Sequence, residues 1–368
     1  MLLIDKSWLD RARNAVSTAE VIKLLMGAVT LELSTLPPYL TGLFSMKGAQ
    51  NKTAAHLVLS VAIEEMLHMS LAANTCIAVG GNPTVLKDGL SLSYPGPLPM
   101  CVDEGLTVSL KAVSHQQVVE VFMGIERPDT TAPLPGESTV QTASHRTMMQ
   151  KKDDGFGSIG DFYAAIITSL ESLEASGAAP FANPRLERQV DVAKWFPEHT
   201  RGPGNGKVFD LESAKAALST IVNQGEGVQV NTDPIDPYSG EPSLAHYFRF
   251  GEIANGHRLI KDDSDPSGWS YTGEAVPLDE SNIHNLLPNA RVSSYKEGSR
   301  AWFAADAFYS AYLRLLRSLD RTFNGEPDAL KSALGVMFEL KLVARQIVAY
   351  PADPEKPDGY AAAPPFQA

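Results

Sequence analysis

The sequence lacks the features that mark a secreted or membrane-spanning protein. Its 368 residues include only two cysteines, Cys76 and Cys101, which is too few for a disulfide framework or a four-thiolate metal site. No stretch reaches the ~18 uninterrupted apolar residues that a membrane span needs. The first residues, MLLIDKSWLDRARN, show neither the apolar core of a signal peptide nor an anchor. These absences predict a cytoplasmic protein.

Basic residues are also fewer than acidic ones. Lys and Arg together number 31 against 43 Asp and Glu, which gives a formal net charge of -12. Binding to a nucleic-acid backbone or to anionic lipid requires a basic surface, so both classes of partner are disfavoured. The 44% apolar content allows a sizeable core. We therefore expect a protein that acts on a small-molecule substrate, binds neither nucleic acid nor membrane, and is able to form a homo-oligomer.

Helical segments separated by irregular loops account for most of the chain. Apolar residues recur at helical spacing in stretches covering 15–35, 52–79, 115–125, 158–176, 211–226, 243–257, 299–323 and 327–349. The connections are rich in Pro, Gly, Asn and Asp, and no alternating strand–helix pattern recurs. This organisation predicts an all-α fold, a helical bundle with long irregular loop insertions and two extra C-terminal helices.

The length is compatible with one large domain that carries insertions. We predict a helical domain over 1–350, with insertions at about 84–157, 177–210 and 258–298. The remaining residues, 351–368, are rich in Pro and Ala, and this composition predicts a flexible C-terminal tail.

Glu32 occupies a position where an amphipathic helix normally places an apolar residue. It continues, at steps of three or four residues, a row formed by Val21, Leu25 and Ala28. The Pro37-Pro38 pair follows shortly afterwards. Because proline removes a backbone donor and clashes with the preceding turn, we expect the helix to end there.

Two further helices repeat this pattern. In the second long helix, Glu65 and His68 lie one turn apart on the apolar face, and Glu226 ends the apolar row of 211–226. A buried carboxylate costs several kcal/mol unless a cation pairs with it. Few Lys or Arg residues lie on these faces, so a shared metal ion is the better candidate. Carboxylates and imidazole suit iron, manganese or zinc.

The second half of such a site is incomplete in the sequence. Glu-x-x-His on one helix, joined by single Glu residues from its neighbours, is the arrangement of di-iron carboxylate bundles. Only His68 has a Glu three residues earlier, because Ser243 takes that place before His246. Either this half of the site is depleted, or another carboxylate completes it. Glu252 and Asp161 are candidates, although Asp161 also fits a helix-capping position.

Four blocks of the sequence resemble a bacterial ferritin-like family, that of the iminophenyl-pyruvate dimer synthase domain. They are LELSTLPPYLTGLFS (31–45), VAIEEMLHMSLAANTCIAVGGNP (61–83), NQGEG (223–227) and AHYFRFGEI (245–253). The same domain is part of the larger synthases of violacein, rebeccamycin and staurosporine biosynthesis. The likeness spans 15–260 with gaps in the loops.

The resemblance implies a ferritin-like bundle with oxidative chemistry. By analogy, the protein would be a metal-dependent oxidoreductase of secondary metabolism that oxidises or couples a small amine- or imine-bearing metabolite derived from an aromatic amino acid. The matching blocks place five residues at ligand positions for iron, in a mononuclear or di-iron site: Glu32, Glu65, His68, Glu226 and His246.

Two alternatives to a non-haem iron enzyme stay open at this stage. The large synthases are described as haem-containing, so haem is a second candidate cofactor, with axial ligands drawn from His68, His246 and Cys76. The other alternative is a metal-free binding or scaffold protein that keeps the family fold. In that case the inward carboxylates would pair inside the core with Tyr39, Tyr247, Arg249 and Arg258.

Overall fold

The structure is a computed structural model that describes residues 3–101, 106–128, 130, 134–136, 156–197, 206–225, 235–236, 243–265 and 267–368. Its helices are α1 Lys6–Arg13, α2 Thr18–Ser45, α3 Lys52–Ala78, α4 Val85–Ser91, α5 His115–Gln117, α6 Met123–Ile125, α7 Ile159–Ala175, α8 Val192–Trp195, α9 Leu211–Gly225, α10 His246–Asn255, α11 Arg300–Phe323 and α12 Leu330–Ile347. A π-helix, π1 Val118–Phe122, joins α5 to α6. Two short antiparallel ladders pair β1 Ile235–Asp236 with β2 Ser243–Leu244, and β3 Ile260–Lys261 with β4 Trp269–Ser270.

The long helices α2 and α3 pack along each other and form the centre of the bundle. Around this pair lie α7, α9, α10 and the π1–α6 segment, so the core is enclosed by helices from distant parts of the sequence. Inside it, the ring of Tyr39 lies 5.0 Å from those of both Phe122 and Phe250. The predicted all-α bundle is confirmed.

Helix α2 does not end at the Pro37-Pro38 pair, as we expected, but continues to Ser45. Proline at position 38 cannot donate a hydrogen bond to the carbonyl of Ser34, one turn earlier. The hydroxyl of Tyr94 donates to that carbonyl at 2.6 Å instead. A tertiary contact therefore replaces the missing bond, and Glu32 lies within a continuous helix rather than at its end.

The segment predicted to be helical over 115–125 is helical, but not uniformly so. It contains the five-residue π-helix π1 between α5 and α6. A π-turn adds a residue to the helical repeat and changes the direction of the side chains that follow. The segment ends next to Glu126, whose side chain is buried.

The two extra C-terminal helices are present as α11 and α12, which pack against each other. The tail, 351–368, which the sequence predicts to be flexible, packs against the body in this structure. Phe366 is buried and its ring makes edge contacts with the rings of Phe308 and Tyr312. Burial of the apolar residues near the chain end stabilises this packing, and the Pro and Ala content of the segment does not reveal it. The boundaries of the insertions, at about 84–157, 177–210 and 258–298, stay predictions.

Helix α3 is long and apolar enough to cross a membrane by length and composition alone. In this structure 72% of its most apolar window is buried inside the protein. That burial is typical of a core helix, and the sequence of α3 is no evidence for a membrane span.

Candidate metal centre

Three helices bring four of the five predicted ligands to one place. Glu32 comes from α2, Glu65 and His68 come from α3, and His246 is the first residue of α10. All four side chains are buried, with at most 5% of any residue exposed. The fifth predicted ligand, Glu226, lies outside the described residues.

Glu65 is the centre of the cluster. Its Oε1 atom lies 2.9 Å from Nδ1 of His246 and 3.9 Å from Nδ1 of His68. Nδ1 of His68 also lies 3.8 Å from Oε2 of Glu32. Because a metal ion binds nitrogen and oxygen at about 2.1 Å, two ligand atoms of one ion are at most about 4.2 Å apart. All three distances satisfy this limit. Ligand atoms of Glu65, His68 and His246 all lie within 4.8 Å of one another, a wider bound than that limit.

Both imidazoles present the same nitrogen to the cluster. Their Nδ1 atoms face Glu65, while Nε2 of His68 contacts Oε1 of Gln224 at 3.0 Å and Nε2 of His246 contacts Oε2 of Glu64 at 2.8 Å. An acceptor at Nε2 keeps the proton there and leaves the Nδ1 lone pair free. Metal-binding histidines are commonly held in this way by a second layer of polar groups.

The nitrogen of His246 that faces the cluster has carboxylates nearby but no well-aligned hydrogen bond. Among the described residues, Nδ1 of His246 is a buried atom with no hydrogen bond of acceptable geometry, although Glu65 lies at a suitable distance. Leaving a buried polar atom unpaired is unfavourable. A metal ion between His246 and the carboxylates would satisfy it.

Glu126 supplies the carboxylate that the sequence pattern left unassigned. It follows α6, and its Oε2 atom lies 3.5 Å from Nδ1 of His246. Val118, Phe122 and Glu126 follow one another at steps of four, which is the same signal that identified Glu32. Sequence reasoning missed it because the segment was short and its π-turn could not be foreseen.

Neither of the carboxylates suggested for that role belongs to the cluster. Asp161 caps α7 by accepting a hydrogen bond from the backbone N–H of Ser158 at 2.9 Å. Glu252 accepts hydrogen bonds from the Arg258 guanidinium at 2.5 Å and from the backbone N–H of Leu259 at 3.0 Å. Each therefore has a structural role elsewhere.

Every carboxylate of the cluster accepts a hydrogen bond from a hydroxyl group. The pairs are Tyr163 to Glu32 Oε1 at 2.5 Å, Thr35 to Glu65 Oε2 at 2.9 Å, and Tyr39 to Glu126 Oε1. Burial, followed by the charge of the neighbouring glutamate, raises the pKa of both tyrosines well above the usual value. The phenols therefore stay neutral donors, and each fixes one oxygen while the other faces the cluster.

Without a metal, the cluster retains protons. Burial and then the charge of Glu65 raise the pKa of Glu32 well above 4.5, and burial and then the charge of Glu126 raise the pKa of Glu65. Burial alone would lower the pKa of His246, but the adjacent glutamates raise it well above its usual value. Burial, with the charge of His246, lowers the pKa of His68 to about 3. In the metal-free protein, protons bound to Glu32, Glu65 and His246 therefore supply the positive charge that a metal ion would otherwise supply.

A cavity of about 30 Å³ lies among these side chains. Its polar lining consists of Glu32, Thr35, Glu65, His68 and Glu126, and its apolar lining includes Leu31, Ile125, Ile159, Ile221 and Val222. A water molecule needs about 10–15 Å³ measured in this way, so the space accepts one or two small ions or molecules. A haem is far larger. The rings of His68 and His246 are stacked with centroids 5.2 Å apart, which leaves no room for a macrocycle between them.

A helical bundle that turns carboxylates and histidines toward a buried centre has the architecture of carboxylate-type metal proteins. The ferritin-like family model matches residues 25–255, so the chain belongs to the ferritin-like family. A solved structure of a ferritin-like protein from Caulobacter vibrioides is similar over 89% of this chain and 94% of that one, with a TM-score of 0.52 and 20% sequence identity. At that identity the likeness shows the fold alone. Comparison with curated proteins gives no match.

The second-layer contact of Gln224 yields a first prediction. Replacing it by leucine (Gln224→Leu) removes the acceptor that holds the His68 ring, so the affinity for Co²⁺, an optical substitute for Fe²⁺, should fall by about 10- to 100-fold. Spectrophotometric titration of the full chain measures this. The exposed Gln116→Leu variant is the control and should bind Co²⁺ like the unaltered protein. Equal affinity of the two variants would contradict the proposed role of Gln224.

The affinity for metal should rise with pH. Ligands bind as carboxylates and neutral imidazoles, and the pKa values of Glu32, Glu65 and His246 are raised, so binding must release protons. Affinity is then lost as the pH falls through these raised pKa values, at a higher pH than carboxylates of ordinary pKa would allow. Calorimetric titration with Co²⁺ in two buffers of different ionisation enthalpy measures the protons released. A constant affinity without proton release would refute this account.

Proposed function

We propose that the protein is a metal-dependent oxidoreductase with a non-haem iron site. The ligands would be those of the buried cluster, Glu32, Glu65, His68, Glu126 and His246, with Glu226 as a further candidate. The observation that carries the proposal is the shared orientation of the two imidazoles, with both Nδ1 atoms facing Glu65 and both Nε2 atoms engaged by acceptors.

The donor set suits a first-row transition metal, with iron among the candidates. Three carboxylates and two imidazoles form a hard, anionic environment that suits ferrous or ferric iron, manganese or zinc. Thiolates, which would favour softer metals, do not lie among the lining residues of the cavity. Bound iron would supply a centre that binds dioxygen or a substrate heteroatom and exchanges electrons with it.

The chain's own residues would position that chemistry. Glu64 and Arg249 form a buried ion pair with a 2.7 Å contact behind His246, which restrains its ring. Tyr39 and Tyr163 orient two of the carboxylates through their hydroxyls.

The substrate class rests on the resemblance rather than on the cavity. Within the described residues, the space beside the cluster accepts only small species such as dioxygen or water. The sequence blocks 31–45, 61–83, 223–227 and 245–253 resemble the iminophenyl-pyruvate dimer synthase domain. We therefore propose the oxidation or oxidative coupling of a small amine or imine derived from an aromatic amino acid. Conversion of an amine to an imine, or coupling of two imines with loss of one hydrogen atom from each, removes two electrons and two protons, and these would reduce dioxygen to hydrogen peroxide.

A metal-free binding or scaffold protein is the second candidate. The ion pairs of Arg249 with Glu64 and of Arg258 with Glu252 are of the kind that this alternative expects. They involve Glu64 and Glu252 rather than the three carboxylates of the cluster. In the metal-free protein the cation beside Glu65 and Glu126 is His246, whose pKa the glutamates raise. Exhaustive chelation separates the candidates, because a bound metal stabilises the native state by mass action and its removal lowers Tm.

Metal content tests the proposed ligands directly. In protein purified from iron-supplemented cells, we expect bound iron that falls at least about tenfold in Glu126→Gln and is abolished in the Glu65→Ala/His68→Ala pair. Glu126→Gln keeps an acceptor for Tyr39, so folding should survive. The control is Glu120→Gln, an exposed carboxylate of the neighbouring π1. Elemental analysis with an optical spectrum provides the measurement; substoichiometric iron that is the same in every variant, or a Soret band, would overturn the assignment.

The reaction is tested with the same set of variants. Imines formed from aromatic 2-oxo acids and ammonium should increase oxygen consumption by the iron-loaded protein above the rate without substrate. Glu120→Gln should match the unaltered protein, and Glu126→Gln should lose most of the rate in proportion to its iron. Iron-loaded protein that consumes no oxygen with any such imine, or with the corresponding aromatic amines, would leave the metal site standing but refute this substrate class.

A further inference from the structure

A second, larger groove lies at the far end of the α2–α3 pair. Its volume is about 870 Å³, and it is bounded by the C-terminal end of α2, the first two turns of α3 and the last turns of α12. Leu43 of α2 is part of its lining. At a rise of 1.5 Å per residue, the helix between Glu32 and Leu43 spans about 16 Å. The groove is therefore separate from the candidate metal centre.

The lining of the groove is basic, whereas the protein as a whole is acidic. It contains no Asp or Glu among the described residues, and its ionisable members are Lys47, Lys52, His56, Arg258, His284, Lys341 and Arg345. The entire chain has 43 acidic and 31 basic side chains. A groove with cationic walls focuses an attractive potential on anions, even on a protein of net charge -12.

Most of these cations have no acidic partner. Within the described part of the chain, Lys47, Lys52, Lys341 and Arg345 form no ion pair, and only Arg258 does, with Glu252. The mutual repulsion of unpaired cations around one groove is unfavourable without a counter-charge. Lys47 adds to burial in lowering the pKa of His284, which also lines the groove.

The first turn of α3 adds backbone donors to the same groove. Asn51 precedes the helix, but its side chain makes no capping hydrogen bond. Its amide instead contacts the backbone carbonyls of Asp279 and Asn282. The N–H of Lys52 donates to the carbonyl of Ala49 at 3.2 Å and that of Ala55 to the carbonyl of Asn51 at 2.8 Å. Among the described residues of this turn, the amides of Thr53, which lines the groove, and Ala54 are left without an acceptor. A helix N-terminus of this kind favours a negatively charged ligand.

Apolar residues form the rest of the wall. Leu43, Phe44, Met46, Leu59 and Val348 line the groove together with the basic side chains. An inorganic ion would use only the charged part of such a surface. The combination of apolar and cationic walls suits an organic anion that has an apolar group.

We propose that this groove binds a small organic anion with two or more negative charges and an apolar group, such as a phosphate ester or a polycarboxylate. The concave shape and the acidic remainder of the protein favour a small molecule over a nucleic acid, which needs an extended basic surface. The site is independent of the proposed oxidoreductase activity, since it uses none of the residues of the metal centre.

Calorimetric titration of the full-length protein tests the proposal with four probes: phenyl phosphate, inorganic phosphate, pyrophosphate and citrate. We expect saturable binding at one site, with phenyl phosphate tighter than inorganic phosphate because of the apolar wall. Affinity should fall with added salt, as expected for exposed charges. Pyrophosphate and citrate distinguish phosphate from carboxylate preference.

The variant for this test is Lys341→Gln/Arg345→Gln, which removes two cations of α12. Both side chains are at least partly exposed, and glutamine is a good helix former, so the fold should be retained. Affinity for the best probe should drop by about tenfold or more. The control is Lys331→Gln on the same helix, outside the groove, with affinity unchanged. No saturable binding of any probe, or equal affinity in the double variant and the control, would overturn the proposal, whatever the outcome at the metal centre.

Discussion

Mutual repulsion among Glu32, Glu65 and Glu126 is the constraint on which the centre of this protein depends. The three carboxylates share a cavity of about 30 Å³ in the middle of a helical bundle. Burial and their neighbours raise the pKa values of Glu32 and Glu65, so in the metal-free protein protons are retained where negative charge would otherwise accumulate. A metal ion would relieve the same repulsion more effectively, because it binds several oxygens at once.

The surrounding bundle is arranged to hold this cluster rather than to neutralise it. Arg249 is directed to Glu64, which in turn contacts His246. The hydroxyl groups that contact the carboxylates are neutral donors, and Gln224 fixes the ring of His68. The negative charge of the cluster is therefore left available to a ligand cation, which is the arrangement expected of a metal centre with a second layer of support.

The middle of the α2–α3 pair and the end where the two helices are joined differ in their electrostatics. The middle of the pair carries the buried acidic cluster, whereas the turn between the helices opens on a groove lined by lysine, arginine and histidine. The acidic cluster attracts cations into a space too small for an organic molecule. The other has both the size and the apolar wall for an organic anion, so the same two helices can position two sites of opposite charge.

Local sequence patterns were sufficient for the helices and for most of the cluster. Apolar periodicity located the long helices, and the interruption of an apolar row by Glu32, Glu65 and His68 marked them as unusual, because the burial of a charge needs a compensating partner. His246 was added through the resemblance of its block to a known family. The inferences from periodicity use only residues within about three turns of a single helix.

Tertiary structure decided what depends on residues distant in the chain. The continuation of α2 past Pro37-Pro38 depends on the hydroxyl of Tyr94, which is brought to the carbonyl of Ser34 by the fold. Glu126 reaches the cluster through the π-turn of π1 and a contact with Tyr39, 87 positions away in sequence. Periodicity reports which face of a helix is buried, but not which other helix lies against that face, and the partners of a buried charge are set by that packing.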